Sequence, residues 1–243
     1  MERIDDLECN GLKIIQNPEY YCFSIDAVLL ANFAGDIKGD MVIDLGTGTG
    51  VIPLLLSAKT KAKKIVGIEI QKHLSDMAER SVKLNGLEDR IRIYNMDLKQ
   101  APLNFGPESF DAVVTNPPYI EKGAGFINKT SSKAVAKHEI KCSLDDVLLA
   151  ACKLLKLKGN FYMIHRASRL SEVIAKMKTY KIEPKVLRAI QPAPDKNANL
   201  FLVKGIKGGG YGIEVMPPLV VYEKKGQYTR EVLQIYGKEE SST

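Results

Sequence analysis

The 243-residue sequence has no tryptophan, three histidines and four cysteines. Cys9, Cys22, Cys142 and Cys152 form no CxxC pair and stand at no ligand spacing from a histidine. That pattern suggests neither a disulfide framework nor a zinc site, and the four read as reduced thiols. His73, His138 and His165 are scattered, which suits structural or surface positions better than catalysis. No apolar stretch is long enough to cross a bilayer, and Met1-Glu2-Arg3-Ile4-Asp5-Asp6 lacks the apolar core of a secretion signal. Repeats and low-complexity tracts are missing too. The expectation is a cytoplasmic chain with no metal and no membrane partner, of a length that suits one α/β domain.

What is present is an alternation of strand-like and helix-like runs. Strands are expected near 41–45, 64–69, 90–94, 111–115, 159–165, 185–190 and 199–206, and helices near 50–59, 72–85, 143–155 and 167–178. That order predicts a mostly parallel seven-stranded sheet wrapped by helices on both faces, with ligands at the carboxyl ends of the strands. Gly205 to Gly212, with Gly208-Gly209-Gly210 inside it, reads as a loop rather than a domain boundary.

Both chemical motifs fall at such strand ends. Met41-Val42-Ile43-Asp44-Leu45 runs into Gly46-Thr47-Gly48-Thr49-Gly50 and then into the apolar Val51-Ile52-Pro53-Leu54-Leu55-Leu56. Glycines here let backbone approach a ligand at a helix N-terminus. The spacing is G-x-G-x-G, whereas a dinucleotide fingerprint is G-x-G-x-x-G. Glu69 ends the second strand 25 residues beyond Asp44, where a carboxylate takes ribose hydroxyls. Asp97 follows the third strand and could bind an adenine amine. After Phe110-Asp111-Ala112-Val113-Val114-Thr115 comes Asn116-Pro117-Pro118-Tyr119, which offers an amide oxygen, a proline carbonyl and an aromatic ring. Two acceptors and a stacking surface suit a planar exocyclic amine, whose delocalised lone pair makes it a poor nucleophile until the nitrogen pyramidalises. Taken alone, the tetrapeptide also fits a proline-rich turn, and each acid also fits a solvated strand end.

The whole pattern resembles class I S-adenosylmethionine-dependent methyltransferases of the amino-methylating group. Phe23-Ser24-Ile25-Asp26-Ala27-Val28-Leu29-Leu30-Ala31 is similar to the segment preceding the glycine loop in bacterial tRNA adenine-N6 methyltransferases that act on adenine 37 of a valine tRNA. So is the terminal stretch from Leu219 to Thr229, where that family has a strand and then a short helix. The resemblance implies a Rossmann-like class I methyltransferase fold in a single domain: an N-terminal cap segment over 1–40, a core over 41–206 and an extension over 207–243. It implies S-adenosylmethionine as cofactor, held by Asp26, Asp44, Gly46, Gly48, Gly50, Glu69 and Asp97. It also implies a tRNA adenine as substrate, held by Asn116, Pro117 and Tyr119, with no metal. The segment Lys133–Glu139 carries no clear signature. Ribosomal guanine-N2 methylation, N5-methylation of release-factor glutamines and an RNA-binding module without turnover are the competing readings.

Charge is uneven along the chain. Residues 1–150 carry 18 Lys and Arg against 21 Asp and Glu, and residues 151–243 carry 17 against 8. Lys153, Lys156, Lys158, Arg166, Arg169, Lys176, Lys178, Lys181, Lys185 and Arg188 crowd one stretch, and Lys122, Lys129, Lys133, Lys137 and Lys141 follow Tyr119. Such cations attract a phosphate backbone or form an ordinary solvated face.

Overall fold

The computed structural model describes residues 1–20, 22–117 and 142–238. Strands β1 (Arg3–Asp6) and β2 (Lys13–Gln16) form a short antiparallel hairpin. It is tied to helix α3 (Lys72–Leu84): Ile15 N donates to Ser81 Oγ (2.9 Å), Lys13 N donates to Asn85 Oδ1 (2.9 Å), and Asn85 Nδ2 returns a bond to Lys13 O (2.7 Å). Helix α1 (Ile25–Phe33) follows and packs against α2 (Val51–Lys59).

The centre is an eight-stranded sheet ordered β10-β8-β9-β7-β6-β3-β4-β5. Its strands are β3 (Met41–Leu45), β4 (Lys64–Glu69), β5 (Ile91–Asn95), β6 (Phe110–Thr115), β7 (Leu155–Arg166), β8 (Ile182–Gln191), β9 (Leu200–Lys207) and β10 (Glu214–Val220). Only β9 runs antiparallel to its neighbours, so every other strand delivers its carboxyl end to one edge. The seven expected strands are all present, and β10 adds an eighth alongside β8. Helices α4 (Ala101–Phe105), α5 (Leu144–Leu154), α6 (Leu170–Thr179) and α7 (Arg230–Ile235) complete the layers, with a small β11 (Tyr222–Lys224) and β12 (Gln227–Tyr228) hairpin before α7.

The sheet is apolar on both faces because helices cover both, as parallel sheets require. Successive residues of one strand serve opposite cores. Val42, Ala112, Val114 and Ile65 enter the core shared with α1, α2 and α7, whereas Ile43, Val113 and Val66 enter the one shared with α5 and α6. The Thr115 hydroxyl donates to Leu45 O (2.9 Å) with no exposure, locking together the ends of β6 and β3 where the motifs begin. No helix among the described residues is long and apolar enough to cross a membrane.

Candidate functional site

The chain passes from β3 outward to β4 and β5 and then returns to β6 on the other flank of β3. A crevice at the carboxyl ends follows from that reversal. Asn116, Gly46, Glu69 and Asp97 end or follow the adjacent strands β6, β3, β4 and β5. At the usual spacing between strands they span roughly 15 Å of that edge.

The glycine loop is built by conformation. Gly46, Gly48 and Gly50 have φ of +80°, +57° and +88°, in the left-handed region. A Cβ at Gly46 or Gly48 would meet nothing within 4 Å, so these two present bare backbone to open space. Gly50 is different: a Cβ there would lie 3.1 Å from that of Ala78, so its smallness lets α2 start against α3. The loop is pinned by Gly46 N and Thr47 N, both donating to Ile68 O (3.0 and 2.9 Å). Pro53 sits in the first turn of α2, where a missing N–H leaves no bond unmade.

Glu69 joins loop to strand. Its Oε2 accepts from Gly48 N (3.0 Å) and its Oε1 from Gln71 N (2.9 Å), and the residue is 6% exposed. Burial raises its pKa, opposed by those backbone donors. Each oxygen keeps a lone pair for a further donor. Asp97 is partly exposed. Its Oδ1 accepts from Lys99 N (3.0 Å), capping the turn that leads to α4, while its Oδ2 faces Lys99 Nζ at 3.4 Å. Asp26 lies in the first turn of α1. Asn116 is half-buried and Pro117 buried, immediately after β6. Tyr119 lies outside the described residues, as do the lysines from Lys122 to Lys141.

Asp44 is the anomaly. It is fully buried, neither carboxylate oxygen has a hydrogen-bond partner among the described residues, and the hydroxyl of Thr47 beside it is equally unpaired. Burial pushes the Asp44 pKa up to about 7; the nearby Thr47 hydroxyl opposes this without reaching hydrogen-bond geometry, and the charge of Glu69 adds to it. An unpaired buried carboxylate is costly unless a cation or donors meet it. The α-ammonium and sulfonium of S-adenosylmethionine are such a cation, and the bare glycine backbone leaves room for them. The residues present therefore fit that cofactor.

Two features of the site were missed at the level of sequence. Thr47 stands between two glycines, and its side chain rests where a Cβ on Gly67 would come within 2.9 Å of Oγ1; only the lack of a side chain on β4 admits it. Tyr20 and His73 pair with ring centroids 4.3 Å apart, His73 lying close enough to Glu69 to favour its ionised form. Nothing in the spacing of a tyrosine 53 positions from a histidine announces that contact. His165, by contrast, is a core residue, as expected: it is 1% exposed, and burial together with the Arg169 charge lowers its pKa to about 4. All four cysteines are free, and no group of three or more metal-binding side chains occurs among the described residues.

The basic stretch divides on folding. Arg166 ends β7 on the crevice edge and Arg169 follows in the next turn, but Lys153, Lys156, Lys158, Lys178, Lys181 and Lys185 fall at the opposite edge, where β7 and β8 begin. Several of the cations are also neutralised internally: Lys156 pairs with Asp111 (2.6 Å), Arg169 with Glu172 (2.8 Å), Arg188 with Glu231 (2.7 Å) and Lys176 with Asp145. Sequence clustering overstates the positive surface near Asn116, because parallel strands put residues close in sequence at opposite ends of the sheet.

Comparison with known proteins points to methyltransferases. The family model described as the methyltransferase small domain matches residues 24–182. A tRNA1(Val) (adenine(37)-N6)-methyltransferase of Porphyromonas gingivalis is 26% identical over 219 residues, 86% of this chain and 85% of the relative. A Methanocaldococcus jannaschii relative, provisionally named a protein N5-glutamine methyltransferase, is 31% identical over 186 residues, 73% of this chain and 89% of the relative. Among solved structures, a predicted O-methyltransferase from Agrobacterium tumefaciens superposes with a TM-score of 0.70 at 23% identity, covering 87% and 95% of the two chains. P. horikoshii TYW2 in complex with MeSAdo gives 0.60 at 17%, covering 86% and 72%.

Proposed function

Since the chain belongs to the methyltransferase small domain family, we propose that it is an S-adenosylmethionine-dependent N-methyltransferase acting on the N6 amine of an adenine in tRNA, adenine 37 of a valine tRNA. The observation that carries the methyltransferase reading is the buried, unpartnered Asp44 at the mouth of a glycine loop whose backbone is bare. The adenine substrate is supported by the tRNA-modifying relatives, one of which, from Shewanella halifaxensis, aligns over 93% of this chain.

The cofactor supplies an electrophilic methyl group on a sulfonium. Asp44 would meet its cationic end, Glu69 its ribose hydroxyls and Asp97 its adenine, while Gly46, Gly48 and Gly50 would let backbone close around it and Asp26 would add a carboxylate from the first turn of α1. Asn116 Oδ1 and the Pro117 carbonyl would accept hydrogen bonds from the two N–H groups of the target amine. That pair of bonds localises the nitrogen lone pair and stabilises the amine more as it pyramidalises than in its planar ground state. Tyr119 is assigned the stacking role on the base by the motif alone. No protein base is needed, because the methylated ammonium is acidic enough to lose its proton to water. The domain limits follow the same scheme, with 1–40 capping a core over 41–206 and 207–243 extending it.

A second reading has a specific observation behind it: the M. jannaschii relative is 31% identical, and a glutamine amide is also a planar amine that the same two acceptors would fit. The test incubates the protein with labelled S-adenosylmethionine and either tRNA from a strain lacking its gene or a release-factor protein. Label recovered as N6-methyladenosine supports the proposal; label on glutamine alone replaces it.

A further inference from the structure

On the far edge of the sheet, the loop joining β9 to β10 reads Gly208-Gly209-Gly210-Tyr211-Gly212, and Tyr211 is 89% exposed. Such exposure of an aromatic ring leaves a large apolar area in water that folding has not covered. Four lysines surround the loop. Lys158 Nζ donates to Gly208 O (2.5 Å), Gly208 N donates to Lys181 O (2.9 Å), Lys185 Nζ donates to Gly210 O and Tyr211 O (both 3.2 Å), and Lys178 Nζ stands 5.5 Å from the centre of the Tyr211 ring. None of the four forms an ion pair among the described residues, although Lys156, Lys176, Lys204 and Lys207 in the same half all do. Glu183 and Glu214, the acids closest in sequence to this surface, leave these lysines unneutralised. Lys158 and Lys181 further adopt φ of +65° and +58°, a conformation in which glycine or asparagine is cheaper than lysine.

We propose that this loop is a second RNA-docking surface, in which the lysines hold phosphates and Tyr211 stacks on an unpaired base. Lysines without carboxylate partners release counterions on meeting a phosphate backbone, and a lone accessible ring beside them is the arrangement that binds single-stranded segments. The surface lies across the sheet from Asn116: the register sets Asn116 level with Arg188, well along β8 from its start at Ile182 and three strands over, a separation of roughly 25–30 Å. One nucleotide or a short hairpin seated at the crevice cannot bridge it; a folded RNA can. The proposal rests on the RNA-methylating reading above.

The experiment measures methylation and binding of full-length tRNA and of an isolated anticodon hairpin by Tyr211→Ala, by Lys178→Glu/Lys181→Glu, and by a control reversal on the same edge, Lys38→Glu/Lys61→Glu. The expected result is a rise in KM for full-length tRNA of about tenfold for Tyr211→Ala, with a shallower salt dependence for Lys178→Glu/Lys181→Glu. Turnover at saturation, cofactor affinity and activity on the hairpin should not change. Equal loss in the control reversal, unchanged KM, or a change in oligomeric state in place of RNA affinity would each overturn the surface. Failure of the unaltered protein to methylate any RNA overturns the RNA reading instead, so the two failures are distinguishable.

Discussion

The buried carboxylate of Asp44 makes a prediction about stability as well as binding. Its pKa rises from the usual 3.8 to about 7, chiefly through burial, and both oxygens lack partners. With the folded value above the unfolded one, the folded state keeps a proton that the unfolded chain has already lost between about pH 4 and about pH 7. Stability from this group is therefore fully present below about pH 4 and declines as pH rises to about 7. At about 1.4 kcal/mol per pH unit the decline totals about 4 kcal/mol. Asp44→Asn has the same shape and no titration; whatever its buried amide costs is constant with pH and drops out of the slope. Urea unfolding at steps from pH 5 to pH 8 should show the wild-type free energy falling relative to Asp44→Asn by one to a few kcal/mol. Saturating S-adenosylmethionine should flatten the wild-type slope, because its ammonium favours the ionised carboxylate, and should do little for the variant. Parallel curves for the two proteins without ligand would refute the reasoning, since they would mean that Asp44 holds its ordinary charge in the fold.

Three further outcomes are expected. Glu69→Ala should weaken cofactor binding about 10- to 100-fold by calorimetry, the scale of lost charge-assisted hydrogen bonds, and should loosen the glycine loop that its Oε2 holds at Gly48 N. Asn116→Ala should slow methyl transfer at least about 100-fold while thermal stability and cofactor affinity persist; near-normal rates on RNA would remove the amine-positioning mechanism. Gly50→Ala combines a φ of +88° with a Cβ only 3.1 Å from that of Ala78, so it should lower stability by about 1–3 kcal/mol in denaturant titration.

The sequence by itself determined seven strands of the sheet and the order of the motifs along it, but not β10, which pairs with β8 as an eighth. Runs such as Val42–Leu45, apolar but for Asp44, and Ala112–Val114 are buried on both faces, and so nearly continuous an apolar run can be read without knowing its partners. The G-x-G-x-G spacing likewise placed the left-handed turns, because only glycine takes those φ values without strain. The β1–β2 hairpin was not legible: two four-residue strands with Asp5, Asp6 and Lys13 in them carry little hydrophobic pattern, and what holds β2 is side-chain bonding to Ser81 and Asn85 more than 60 residues away. The ion pairs that neutralise the C-terminal half were equally hidden, since Lys156 finds Asp111 and Arg188 finds Glu231 only once the strands are laid side by side. Tertiary structure alone decided that Asp44 would be buried with no hydrogen-bond partner among the described residues, and that Tyr211 would stand exposed among lysines with no carboxylate partner there. Residue type fixes what a group can bind, but the chain's return path across the sheet fixes what is left beside it.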